Sequence, residues 1–121
     1  MPSFRDVHSL EDRKSEALKI TQKYPDRIPI IIEKGRCDLA DISKNKFLVS
    51  REMTMSQFVF TIRKRIQLEP SQSLFVMVTS KGHQGTLVSS NVPMCKVHED
   101  HQDDDGFIYM IYTSENTFGW A

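Results

Sequence analysis

The residues best equipped for chemistry lie towards the end of this sequence. Cys95, His98, Glu99, His101 and Asp103 bring a thiol, two imidazoles and two carboxylates into one short segment. Cys95, His98 and His101 are three apart, so consecutive pairs share a helical face, as a metal site or a Cys–His nucleophile would require. Structural zinc sites use four well-spaced ligands, and no second cysteine pair exists here. Nucleophilic catalysis further needs an oriented base and oxyanion donors, which spacing does not supply. A solvated polar helix end accounts for the same residues with fewer demands. His101, Asp103, Asp105 and Gly106 also echo a calcium loop. Its first position is His rather than Asp, and its twelfth, which must offer a bidentate carboxylate, is Tyr112. That chemistry fails, and a surface turn is expected.

Arg63-Lys64-Arg65 has the composition of a nuclear-import or RNA-binding run. No aromatic stripe accompanies it for stacking on single strands, and it sits among helical apolar positions as a solvated face would. Lys46-Phe47-Leu48-Val49, preceded by Lys44, is a short run with apolar side chains on both faces of a strand. At a sheet edge it would offer unpaired backbone groups to an incoming peptide strand. Lysines also defend edges against such pairing, and spacing leaves both readings open. The last residues, Phe118-Gly119-Trp120-Ala121, read as a frayed terminus. Equally, a Gly there lets backbone pass through an enzyme groove too narrow for a Cβ.

The elements that would carry these groups must come from a single domain, for 121 residues is about one domain of chain. Hydrophobic residues make up 39% and charged residues 26%, a globular composition. The 16 basic and 16 acidic side chains cancel, so bulk charge gives no case for nucleic acid. They are unevenly placed. Residues 1–69 carry a net +4 and residues 70–121 a net −4, which suggests a polar recognition surface on the front part. Two cysteines, Cys37 and Cys95, make no disulfide framework and fit a reducing, cytosolic setting. The first residues lack a signal-peptide core. No apolar run approaches the roughly 18 residues of a membrane span.

Ser9, with Asp12 three residues on, predicts a capped helix with Leu10, Ala17, Ile20 and Tyr24 on one side, stopped by Pro25. Phe4 and Val7 suggest one earlier helical turn. Ile28–Glu33 is a β-branched run and reads as a strand, with Pro29 near its start or at an edge. After the polar stretch 35–45 comes the strand 46–49. Thr54 and Gln57 form a second capping box, opening the clearest amphipathic helix, with Met55, Phe58, Val59, Ile62 and Ile66 on one face. Leu74–Val78 is continuously apolar and predicts a central strand. A loop spans 79–91, Pro93 suits the first turn of a short helix to about Asp100, Asp103–Gly106 is a turn, and Phe107–Thr113 is the last strand. Two strands, a crossing helix and two more strands make an α+β, ubiquitin-like β-grasp with a four-stranded mixed sheet and added N-terminal helices. The expected division is a helical extension over 1–26 packed on the core, the β-grasp domain over 27–113, and a flexible tail over 114–121.

Four segments in order, KYPDRIP (23–29), KFLV (46–49), IRKRI (62–66) and ENTFG (115–119), resemble the autophagy ubiquitin-like modifiers. These are relatives of microtubule-associated protein light chain three and the gamma-aminobutyric-acid-receptor-associated protein. The resemblance covers essentially the whole chain, N-terminal helices included. It implies removal of Trp120 and Ala121 by an autophagy cysteine protease. Activating and conjugating enzymes would then join the Gly119 carboxylate to phosphatidylethanolamine. The chain would be the substrate of that chemistry, not its catalyst, cytoplasmic until lipidated and then on the autophagosome membrane.

The resemblance further implies capture of aromatic-x-x-aliphatic peptides of cargo receptors. Matching positions put the aromatic pocket at Glu16, Ile20, Pro29, Lys46, Leu48 and Phe107. The aliphatic pocket falls at Phe47, Val49, Met53, Phe58 and Ile62, with basic contacts from Arg27 and Arg65. No cofactor, metal or nucleic acid enters this reading. Ser50 stands where the family usually has proline, the 79–91 loop is about five residues longer than usual in a region that tolerates change, and Trp120 is an unusual residue after the Gly. Two alternatives are a peptide-binding adaptor of the same fold that is never conjugated, and a Cys95/His98-dependent hydrolase.

Overall fold

A computed structural model describes residues 3–80 and 85–114. Helix α1 (Phe4–Val7) and helix α2 (Leu10–Lys23) precede strand β1 (Arg27–Lys34) and strand β2 (Lys46–Ser50). Helix α3 (Met55–Arg65), strand β3 (Phe75–Val78), helix α4 (Met94–His101) and strand β4 (Ile108–Thr113) follow. The sheet order is β2-β1-β4-β3, with β1 and β4 parallel at its centre and antiparallel strands outside them. This is the expected β-grasp.

Each helix start carries its sequence signal. Thr54 and Gln57 form the full reciprocal box at α3, whereas at α2 only half forms: Ser9 Oγ accepts from the Asp12 N–H. Ser3 and Asp6 close an unforeseen box at α1. Pro93 is the N-cap of α4 rather than a member of its first turn, leaving that helix without a side-chain cap.

The apolar run of β1 divides between two cores. Ile28, Ile30 and Ile32 face α3 and α4 in the main cluster, while Ile31 faces the N-terminal helices with Phe4, Ala17, Phe107 and Tyr109. A strand covered on both faces has no polar side, which is why the sequence shows no alternation there. Pro29 fits for a related reason. Ile32 N–H points to Asn45 on the β2 side and Gly35 N–H to Tyr112 on the β4 side. By alternation the Pro29 nitrogen faces β4, one residue before that pairing begins at Ile30.

Three expectations need correction. Strand β3 lies at the sheet edge, not at its centre. Its Val76, Met77 and Val78 are buried nonetheless, and Val78 exchanges hydrogen bonds with Thr86 across its outer side, so an apolar run here reports cover rather than sheet position. Leu10 and Tyr24 are exposed, leaving Ala17 as the buried contact of α2. The Asp103–Gly106 turn is not a surface turn. Asp105 is 3% exposed and accepts hydrogen bonds from Arg13, Tyr109 and the Phe107 N–H, while Asp103 pairs with Arg5. Part of the front-to-back charge asymmetry is thus internal: two front arginines hold two rear aspartates.

Candidate functional site

Strand β2 has β1 on one side and no strand on the other among the described residues. Its antiparallel register pairs Arg27 with Ser50 and Ile31 with Lys46. The same register continued meets the Ile32 N–H bond to the Asn45 carbonyl, so alternation makes Ile30–Phe47 and Ile28–Val49 the hydrogen-bonded pairs. Lys46 and Leu48 therefore aim their backbone N–H and C=O away from β1. Among the described residues no strand pairs with this edge.

Beside that edge a cavity of about 320 Å³ opens between α2 and β2, lined by Ile20, Pro29, Ile30, Lys44, Lys46, Phe47, Leu48 and Phe107. Its position follows from the pleat. Phe47 and Val49 point into the main core, so Lys46 and Leu48 must point to the opposite face, under α2. Phe107 and Pro29 are buried, whereas Leu48 is 40% exposed and available to a ligand. Glu16 is not among the lining residues; its carboxylate accepts from Lys46 Nζ at 2.5 Å. Lys46 Nζ also stands 5.2 Å from the Phe4 ring, so the ammonium is poised at the mouth between a carboxylate and an aromatic face. Lys44 and Ile30 were not foreseen. A lysine two positions before Lys46 shares its strand-face parity, which is the signal that would have found the first.

The five residues expected around an aliphatic pocket are brought together, but four of them as core. Phe47 and Val49 are buried, Phe58 and Ile62 have no exposure, and the Phe47 and Phe58 rings meet edge-on at 5.8 Å. Only Met53 is partly exposed, and it lines a larger open groove of about 720 Å³ with Ser50, Glu52, Ser56, Gln57, Phe60 and Thr61. Phe60, 59% exposed, was also missed. It falls off the main apolar face of α3, where an aromatic has no core to fill.

The basic residues have ordinary structural partners. Arg65 lies over the Phe47 ring, Lys64 over Phe60, and Arg63 donates to the Glu69 and Gln72 carbonyls past the helix end. Arg27 is exposed at the start of β1. In the His/Cys segment, His98 Nε2 bonds the Gly106 carbonyl at 3.0 Å. No group of three or more metal-capable side chains occurs among the described residues. Gly119, Trp120 and Ala121 lie outside those residues.

The family model described as autophagy protein Atg8, ubiquitin-like, matches residues 12–119. The chain belongs to the Atg8 family. It is 47% identical over 118 residues to autophagy-related protein 8 of Mycosarcoma maydis, covering 97% of this chain and 96% of that one. Autophagy-related protein 8d of Arabidopsis thaliana is 44% identical over 118 residues, covering 97% and 94%. Autophagy-related protein 8 of Coccidioides immitis (strain RS) is 47% identical over 117 residues, covering 96% of both chains. This Atg8-family chain is thus an autophagy ubiquitin-like modifier working with partners of that pathway. No helix among the described residues is long and apolar enough to cross a membrane.

Proposed function

We propose that this chain is conjugated through the Gly119 carboxylate to phosphatidylethanolamine and collects cargo receptors on the growing autophagosome membrane by β-strand addition at β2. The observation that carries the receptor half is the open edge of β2 running beside the cavity of Leu48, Lys46 and Phe107. An extended peptide parallel to β2 would place its aromatic side chain in that cavity. Three residues later, about 10 Å along at strand rise, its aliphatic side chain would reach Val49 and Met53. Phe47, Phe58 and Ile62 back that second position as core. Arg27 and Arg65 would serve polar or acidic groups flanking the motif, and Lys46, released from Glu16, an acidic neighbour of the aromatic.

The conjugation half rests on the family match reaching Gly119 and on a tail sequence, Asn116-Thr117-Phe118-Gly119, typical of what the resemblance implies. A cysteine protease would remove Trp120 and Ala121, and activating and conjugating enzymes would act next. In this reading the chain catalyses nothing, residues 1–26 are a helical extension, 27–113 the β-grasp and 114–121 the processed tail. The chain is cytoplasmic before lipidation and autophagosomal after it. Two acyl chains at roughly 0.8 kcal/mol per buried CH₂ anchor stably where one short chain does not.

Membrane flotation from starved cells tests this. Wild type and a chain ending at Gly119 should float, the latter without its protease, while Gly119→Ala should stay soluble yet bind peptide. If Gly119→Ala floats as wild type does, conjugation through Gly119 is wrong and the unconjugated peptide-binding adaptor takes its place.

A further inference from the structure

The alternation that aims Lys46 and Leu48 outward does not stop there. Arg27–Ser50 is, like Pro29–Leu48, a pair that exchanges no hydrogen bonds, so the Ser50 N–H also points to the open side of β2. The next residue confirms the phase, since Arg51 N–H turns back to the Asp26 carbonyl. The other polar groups of Ser50 are engaged. Its carbonyl accepts from Met53 N–H, and its hydroxyl donates to Glu52 Oε2 at 2.7 Å while accepting from Glu52 N–H. Among the described residues, no acceptor meets its remaining donor, the backbone N–H. A proline at this position would have none.

We propose that the Ser50 N–H is a third docking donor, which bonds the carbonyl of the peptide residue immediately after the aromatic one. This rests on the strand-addition reading above and deepens it. In a parallel ladder each bound residue whose amide faces the edge donates to one host carbonyl and accepts from the host N–H two residues on. Laterally opposed residues share a face, so an aromatic side chain in the cavity puts its residue across from Leu48 with its own amide turned away. The residue before it then donates to the Lys46 carbonyl and accepts from Leu48 N–H. Two residues later the peptide donates to the Leu48 carbonyl and accepts from Ser50 N–H. That acceptor belongs to the first x of aromatic-x-x-aliphatic. The bond holds the motif extended past its aromatic residue, towards the groove lined by Met53 and Phe60. The ligand class favoured is a peptide that stays extended beyond its aromatic anchor, over one that turns away directly after it.

The experiment measures affinity of the full-length chain for one synthetic aromatic-x-x-aliphatic peptide and for its ester analogue. The ester replaces the amide between the first x and the second x. It weakens that carbonyl as an acceptor and removes only an N–H that faces away from β2. Wild type should bind the amide about three- to tenfold more tightly than the ester, as expected for one net hydrogen bond. Ser50→Ala keeps the N–H and should retain this preference. Ser50→Pro should bind the amide about three- to tenfold more weakly than wild type and lose the preference. The substitution costs the sheet no bond, because this N–H makes none there. Equal binding of amide and ester by wild type overturns the proposal whatever Ser50→Pro does. Failure of wild type to bind either peptide sinks the strand-addition reading itself, a distinguishable result.

Discussion

Asp105 Oδ2 accepts from two side chains at once, the guanidinium of Arg13 on α2 at 2.8 Å and the phenol of Tyr109 on β4 at 2.5 Å. The other carboxylate oxygen takes the Phe107 N–H at 2.8 Å. A buried carboxylate thus fixes helix α2, the last strand and Phe107, which lines the cavity, to one another.

Asp105→Ala should therefore destabilise the fold by about 3–5 kcal/mol, the usual result of stranding a buried charge by removing its partner. Tyr109→Phe, which removes one hydrogen bond to that charged carboxylate, should cost less, about 1.5–3 kcal/mol. Urea unfolding of the two variants against wild type measures both. Equal losses would mean that the carboxylate is not the hub.

Alkaline pH should expose the same region. Burial, and then the bond to Asp105, push the Tyr109 phenol well above its ordinary value of 10.0, and burial pushes Tyr112 up to about 12. Below about pH 10 these phenols are neutral in both folded and unfolded chain, so their contribution is complete. Above it the unfolded chain ionises first, and stability falls as pH rises. The tyrosinate absorbance of Tyr109 and Tyr112 should lag in the native protein and appear together with loss of the circular dichroism signal. Full ionisation near pH 10 with the fold intact would contradict this.

The two proposed halves of the peptide site should respond differently to truncation. Leu48→Ala, at a 40% exposed position, should weaken aromatic-x-x-aliphatic peptides by about 1–3 kcal/mol with little change in stability. Lys46→Ala should weaken peptides carrying acidic neighbours, and added salt should shrink that effect. Ile62→Ala, at a position with no exposure, should cost about 2–5 kcal/mol of folding stability. Calorimetric titration paired with denaturant melts separates the cases. Unchanged peptide binding by both Leu48→Ala and Lys46→Ala would remove the cavity from the site.

What could be read in advance was what depends on near neighbours. Thr54 with Gln57 and Ser9 with Asp12 are three residues apart, so their caps were visible as spacing. The Ile28–Ile32 run announced a strand because β-branching is a local property. By contrast, Arg13 and Asp105 are separated by 92 positions, and nothing beside Asp105 in the sequence marks it as buried. The placement of β3 failed for the same reason: an apolar run measures how much cover a strand has, not which strands flank it. Of the positions the resemblance implies for an aromatic pocket, Ile20, Pro29, Lys46, Leu48 and Phe107 line one cavity and Glu16 does not. Phe58 and Ile62, implied for an aliphatic pocket, close into the core.

The order β2-β1-β4-β3 also sets how the molecule bears tension. The chain continues towards Gly119 from Thr113, the end of β4, which is held by β1 on one flank and β3 on the other. A pull beyond Thr113 runs along β4, so both ladders resist in shear and their bonds share the load instead of opening one at a time. A load at the outer edge of β2 passes into β1 and then into β4, by way of the antiparallel and then the parallel ladder. Two ladders loaded along their strands thus join the docking edge to the end that leads away.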